Sequence, residues 1–67
     1  MKITLNGQSY ELQAGATVAD LVRLRQESGH LTTSAYAVER NKEVCLRPHH
    51  AATALKEGDQ VEVVVMV

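Results

Sequence analysis

Aromatic side chains are nearly absent from this sequence. It has no tryptophan and no phenylalanine, and its two tyrosines are Tyr10 and Tyr36. Proteins that bind single-stranded nucleic acid stack the bases on aromatic rings, so this scarcity argues against that class, and likewise against sugar binding. The core must instead be built from valine, leucine, isoleucine and alanine.

Dense positive charge and long apolar runs are also missing. Seven basic residues are scattered between Lys2 and Lys56 against eight acidic ones, which leaves a net charge of -1 and no basic face for a phosphate backbone. The longest apolar run covers residues 63–67, whereas a helix that spans a bilayer needs about 20 residues. The sequence therefore predicts neither nucleic acid nor a membrane as a partner.

Cysteine occurs once, as Cys45, so an internal disulfide is excluded. The N-terminus does not show the pattern of an export signal, which is a charged segment followed by an apolar segment and small residues. Together with the single thiol, this predicts that the protein is located in the reducing cytoplasm. The chain contains no internal repeat, low-complexity tract or linker, so residues 1–67 are predicted to form a single domain. Its stability margin should be thin, because so short a chain buries only about 60% of its unfolded surface.

The first twelve residues predict an antiparallel hairpin. Polar and apolar residues alternate over residues 1–5, as in a half-buried strand. Asn6 and Gly7 follow, and Asn-Gly between alternating runs favours a two-residue turn because both residues tolerate a positive φ. Residues 8–12 should return with Tyr10 and Leu12 facing inward.

A helix is predicted from Thr17 to about Ser28. The Thr17 hydroxyl is placed to accept from the backbone N–H of Asp20, whose carboxylate also favours the positive start of a helix. Val18, Leu21 and Val22 recur at helical spacing and indicate the buried face. Gly29 is a natural C-terminal stop.

The second half predicts two short strands and a loop. Residues 35–40 form the third strand with Tyr36 and Val38 on one face, and a turn at 41–42 leads to a fourth strand over 43–46. Residues 47–56 are predicted to be a loop with one helical turn at 51–55, and residues 57–59 a turn.

The last strand is predicted over residues 60–67, which are mostly β-branched. Alternation turns Glu62, Val64 and Met66 to solvent and Val61, Val63, Val65 and Val67 to the helix. The order ββαββ predicts an α+β fold, a ubiquitin-like β-grasp with a mixed sheet and one main helix on one face, because the connection through the helix allows the last strand to lie parallel to the first.

Four segments carry a resemblance to a known family: residues 6–7 (NG), 15–21 (GATVADL), 37–41 (AVERN) and 55–62 (LKEGDQVE). Together they resemble the ThiS family, the ubiquitin-like sulfur carriers of thiamin biosynthesis, over essentially the whole chain. The order and spacing of these segments are more specific than any one of them. The sequence departs from the family pattern at residues 46–48 (LRP), because relatives usually have Pro-Arg at the first two of these positions. It also departs at Cys45, where relatives usually have an aliphatic residue.

The resemblance implies a carrier and not an enzyme, with no catalytic residue and no bound cofactor of its own. The resemblance further implies that a C-terminal Gly-Gly, expected after Val67 and absent from this sequence, is adenylated by an activating enzyme of the ThiF type that uses ATP and Mg²⁺. The resulting thiocarboxylate donates sulfur to a thiazole synthase of the ThiG type. Glycine suits such a tail because it lacks a Cβ and threads a narrow channel at any φ. Two alternatives stay open: a tail-less β-grasp interaction module and a molybdopterin-type sulfur carrier.

A docking surface is predicted around the last strand. Val64 and Met66 are apolar and predicted to be exposed on the strand that leads to the tail, where an activating enzyme must bind. Val67, Glu62 and Arg40 complete the predicted set, and Glu39 and Arg47 are candidates for its rim.

Cys45, His49 and His50 suggest a metal site or a nucleophilic pair, but the sequence does not supply all the groups that either site requires. A structural zinc site needs four ligands, and only the distant His30 remains as a fourth. A Cys-His nucleophile needs an oxyanion hole, which nothing supplies. We therefore predict no metal, a half-buried thiol and two exposed loop imidazoles. Asp20, Glu57 and Asp59 are assigned structural roles at a helix start or a turn.

Overall fold

The computed structural model describes residues 1–67 and contains five strands, one α-helix and one 3₁₀ helix. These are β1 (Lys2–Leu5), β2 (Gln8–Glu11), α1 (Val18–Glu27), β3 (Tyr36–Arg40), β4 (Glu43–Cys45), the 3₁₀ helix (Arg47–Ala52) and β5 (Gln60–Val65). The strands form one mixed sheet in the order β2-β1-β5-β3-β4, with β5 parallel to β1 and antiparallel to β3. The predicted β-grasp is confirmed. No helix is both long and apolar enough to cross a membrane.

The first hairpin forms where Asn6 and Gly7 predict it. Their φ angles are 50° and 82°, and the strands pair from Leu5 opposite Gln8 onward. The Asn6 side chain also reaches the central strand, since its Oδ1 accepts from the Val63 N–H at 2.9 Å. This turn therefore joins β1, β2 and β5.

Both ends of α1 are set by local hydrogen bonds. The Asp20 N–H donates to Thr17 Oγ1 at 3.2 Å, and the Thr17 N–H donates to the Asp20 carboxylate at 2.9 Å, a reciprocal capping box. The hydrogen bond from the Thr17 backbone lowers the pKa of Asp20. At the other end Gly29 has φ 79° and donates to the Gln26 carbonyl. The predicted helix start and stop are confirmed.

The core is a single cluster of twelve buried apolar residues drawn from the helix, the sheet and the connecting loops. They are Ile3, Leu5, Leu12, Ala16, Val18, Leu21, Val22, Leu31, Tyr36, Val38, Leu55 and Val61. Tyr36 is the only aromatic among them. Full burial of a leucine, isoleucine or valine side chain contributes about 1.5–3 kcal/mol, so this small set carries most of the stability.

The last strand is shorter than predicted. It ends at Val65, and although Val61 is buried and Val63 half-buried, Val65 is 51% exposed and Val67 is fully exposed. The predicted burial of Val65 and Val67 is therefore wrong. Strand β1 pairs with β5 only as far as Val61, so the second half of β5 runs past β1 and beyond the core, with β3 as its one neighbouring strand.

The helical turn predicted at residues 51–55 lies earlier, as the 3₁₀ helix Arg47–Ala52. Pro48 sits in its first turn, where a fixed φ and a missing N–H suit a helix start. The chain is extended again at Thr53, and Ala54 forms an isolated bridge with Thr17. This bridge ties the loop to the start of α1.

The turn between β3 and β4 gives a first testable prediction. Asn41 and Lys42 have φ angles of 53° and 69°, a left-handed conformation that costs most side chains about 1–2 kcal/mol and glycine nothing. We expect Lys42→Gly to raise the free energy of unfolding by about 0.5–1 kcal/mol, net of the greater freedom of glycine in the unfolded chain. Urea unfolding followed by circular dichroism measures the change. Lys42→Ala removes the same charge but keeps a Cβ, so an equal gain in that variant would contradict the explanation.

Candidate protein-docking face

The C-terminal end of β5 leads out of the sheet. The Met66 N–H donates to the Ala35 carbonyl at 2.8 Å, and Val65 lies opposite Tyr36, so β3 holds β5 almost to its end. Val67 has no such bond and is fully exposed. The chain thus reaches solvent directly from a strand of the sheet.

The sheet face opposite the helix carries an apolar patch beside this exit. Val64 lies directly opposite Ala37, and because Cys45 lies opposite Val38, Leu46 comes next to Ala37 on the other side. Directly opposite residues share a face of the sheet. The patch consists of Ala37, Val44, Leu46, Val64 and Met66, of which the last four are 60%, 62%, 43% and 52% exposed. Four exposed apolar side chains on one face, two on either side of Ala37, mark a candidate interaction site.

Two glutamates border the apolar patch on the same face. Glu62 lies directly opposite Glu39, and Glu39 lies opposite Val44 on its other side. Neither carboxylate takes part in an ion pair. Like charges in directly opposed positions are unfavourable, so this edge of the patch presents uncompensated negative charge to a partner.

Arg40 does not belong to this face. It lies opposite Val61, on the helix side of the sheet, where its Nε donates to the Asp59 carboxylate at 3.0 Å. The structure therefore brings together Glu62, Val64 and Met66 of the predicted docking set. It places Arg40 on the other side and Val67 beyond the strand.

Asp59 is the centre of a buried polar cluster. Its side chain is 9% exposed and accepts from Arg40 Nε, from Asn41 Nδ2 at 3.1 Å and from the Lys56 N–H at 2.8 Å. Burial acts to raise the pKa of Asp59, but these hydrogen bonds and the charge of Arg40 outweigh it, so the pKa lies below its usual value. The cluster joins the turn before β5 to the end of β3, a structural role in keeping with the sequence interpretation.

Cys45, His49 and His50 are neighbours but do not form a nucleophilic pair. The Cys45 thiol donates to Thr53 Oγ1 at 3.6 Å, and His50 Nε2 donates to the Cys45 backbone carbonyl at 2.8 Å. His50 is 7% exposed, so the prediction of two exposed imidazoles is wrong for it and right for His49. The 3₁₀ helix turns His50 inward and gives its ring N–H a carbonyl partner. No group of three or more His, Cys, Asp or Glu side chains is placed to hold a metal ion.

The sequence reasoning missed Ala37, Val44 and Leu46 as members of the apolar patch. Alternation along 43–46 already put Val44 and Leu46 on one face. Which face that is depends on the pairing of Cys45 with Val38, and only the register supplies this.

Comparison with known proteins gives one family and a few relatives. The model of the ThiS family matches residues 3–67. A thiazole synthase of Magnetococcus marinus is 41% identical over 64 residues, a match that covers 96% of this chain but 18% of that protein. The chain therefore spans less than a fifth of the length of this relative.

Two solved structures share the fold over the full length of this chain. The crystal structure of a thiamine biosynthesis protein (ThiS) from Geobacter metallireducens superposes with a TM-score of 0.79 at 28% identity and is covered to 96%. The solution structure of a thiamine biosynthesis protein from the same organism gives a TM-score of 0.72 at 30% identity and is covered to 85%.

Proposed function

Because this chain belongs to the ThiS family, we propose that it is a sulfur carrier for thiazole formation in thiamin biosynthesis and not an enzyme. The observation that carries the proposal is the family match over residues 3–67 together with a last strand that leads the chain end into solvent. A carrier needs an accessible end on a folded body, and the exposed end of β5 supports this interpretation. Cys45 is a free thiol, which suits the reducing cytoplasm that we propose as its compartment.

The chemistry that we propose takes place on a Gly-Gly tail after Val67. A terminal carboxylate oxygen attacks the α-phosphorus of ATP and releases pyrophosphate, which gives an acyl adenylate. A sulfide-level sulfur nucleophile then displaces AMP and leaves a thiocarboxylate. The thiocarboxylate transfers its sulfur to the growing thiazole in exchange for one oxygen atom, from water or from the acceptor, and becomes a carboxylate again. ATP, Mg²⁺ and the catalytic groups belong to the partner enzymes, and the carrier binds no cofactor.

Two partners follow from this proposal, an adenylating enzyme of the ThiF type and a thiazole synthase of the ThiG type. The Magnetococcus marinus relative supports the second, since a segment similar to this chain makes up part of a protein named thiazole synthase. We propose that both partners dock on the apolar patch. A partner that also presents a basic side chain to Glu39 and Glu62 would relieve their repulsion.

An activation assay tests the carrier assignment. Full-length protein with its tail, incubated with ATP, Mg²⁺ and the cognate activating enzyme, is expected to release one pyrophosphate per carrier. With a sulfur source, intact mass should rise by the difference between sulfur and oxygen. The 67-residue chain without the tail is the matched control and should release none. Absence of pyrophosphate with the tailed protein would contradict the assignment.

The apolar patch also favours a second candidate, a β-grasp module that binds a partner without covalent chemistry. The coding sequence separates the two: codons for two glycines after Val67 favour the carrier, and a stop codon there favours the module. The module predicts that the 67-residue chain binds its partner as tightly as any longer form.

A further inference from the structure

The start of β3 extends past the end of its neighbour β4. Pairing between them runs from Arg40 opposite Glu43 to Val38 opposite Cys45 and stops there. Tyr36 is the first residue of β3, and Ser34 lies two residues before it. Their carbonyl groups therefore have no neighbouring strand on that edge to donate hydrogen bonds to them.

The side chain of Arg47 takes the place of the missing strand. Its Nη2 donates to the Ser34 carbonyl and to the Tyr36 carbonyl, the latter at 3.0 Å. Its guanidinium carbon also lies 4.0 Å from the centroid of the Tyr36 ring, a stacked position. A planar guanidinium can bond two carbonyls and stack at once, which a lysine ammonium cannot.

The opposite edge of the same segment holds the end of β5. The Ala35 carbonyl accepts from the Met66 N–H at 2.8 Å, and Tyr36 lies opposite Val65. Successive carbonyls of an extended chain point to opposite edges. Arg47 and Met66 therefore donate hydrogen bonds to the two opposite edges of residues 34–36. Met66 is the last residue with a backbone hydrogen bond to the sheet.

We propose that Arg47 is a positioning residue for the C-terminal tail. By holding residues 34–36 in an extended line, Arg47 keeps Met66 bonded to β3 and sets the point from which the tail moves freely. This role rests on the proposed function as a carrier. Without Arg47, β5 frays back towards Val64, and a partner must order more residues before it reaches the terminal carboxylate. Each further residue that must be ordered lowers, by about tenfold, the fraction of bound carrier molecules whose terminal carboxylate is in place to react.

Amide hydrogen exchange and activation kinetics test this role together. In Arg47→Ala, the Met66 amide is expected to exchange about tenfold faster while that of Val38 in the core is unchanged, and kcat/KM for pyrophosphate release to fall about tenfold. Arg47→Lys, which keeps the charge but not the fork or the stacking plane, should show intermediate changes in both. The matched control is Arg25→Ala, because Arg25 lies over Tyr10 at 5.6 Å on the helix side of the molecule and should change neither.

Four outcomes would overturn the inference. Unchanged Met66 exchange in Arg47→Ala would show that Arg47 does not anchor β5. Slower activation without faster exchange would mean that Arg47 contacts the enzyme directly, and faster exchange with unchanged kinetics would show that the anchor does not serve the tail. Wild-type protein that releases no pyrophosphate would overturn the carrier assignment and this role with it, while the exchange rates would still report whether Arg47 anchors the strand.

Discussion

Asp59→Ala is expected to lower the free energy of unfolding by about 2–4 kcal/mol, the largest effect of any single polar side chain in this protein. The change removes the acceptor of three hydrogen bonds and leaves the 30% exposed Arg40 side chain without its ion-pair partner. A domain of this size has a total stability of about 3–10 kcal/mol, so the change should remove a large share of that stability. Urea titration followed by circular dichroism suits a chain without tryptophan.

The same carboxylate should make stability depend on pH in a defined direction. The pKa of Asp59 is lowered in the folded state, so its contribution is complete above the unfolded value of about 3.9 and is lost as the pH falls through the lower folded value. Asp59→Asn keeps the shape of the side chain and removes this titration.

The free energy of unfolding of wild type should therefore exceed that of Asp59→Asn by a constant amount from about pH 7 to 5. This difference should become smaller below pH 4. Glu43→Gln is the control, since Glu43 is an exposed carboxylate on β4 without an ion pair, and its gap should stay near zero. A gap for Asp59→Asn that stays constant down to pH 2 would contradict the role assigned to the ionised carboxylate.

Val64→Asp is expected to weaken docking to the activating enzyme by about 100-fold while it changes stability little. Val64 lies in the middle row of the apolar patch, opposite Ala37, and is already 43% exposed. In the complex a carboxylate here would be desolvated without a partner and would lie one row from Glu39 and Glu62, a penalty typical of an interface hot spot. Affinity measured by calorimetry, or kcat/KM for pyrophosphate release, reports the loss.

Ser9→Asp provides the matched control for Val64→Asp. Ser9 is exposed on β2, the edge strand at the far side of the sheet, and lies opposite Thr4 on the same face. It adds the same charge to this face outside the apolar patch, so docking should be nearly unchanged. Equal losses in both variants would indicate a general charge effect, and wild-type affinity in Val64→Asp would exclude this face as the docking surface.

The parts of the fold that were predictable depend on neighbours in sequence. The Asn6-Gly7 turn, the Thr17 capping box with Asp20 and the stop at Gly29 each use hydrogen bonds or φ angles set within a few residues. Such signals are complete in the local sequence, because the partner groups are always within reach.

The parts that were missed depend on contacts between distant residues. His50 is buried because the 3₁₀ helix brings it to the Cys45 carbonyl, and Val65 is exposed because β1 ends before it. Alternation along the chain shows which residues share a face but not whether another element covers that face.

By itself the sequence determined the order of elements, the largely aliphatic character of the core and the strand that leads the chain end outward. Tertiary structure alone decided what surrounds that strand. Because of the strand register, Arg40 pairs with Asp59 and Glu39 lies directly opposite Glu62. The same register brings the apolar residues of β3, β5 and the segment around β4 together in one patch. It also brought Arg47 to the start of β3. The physical reason is that hydrophobic spacing selects a face within each strand, whereas pairing between strands sets the neighbours across it.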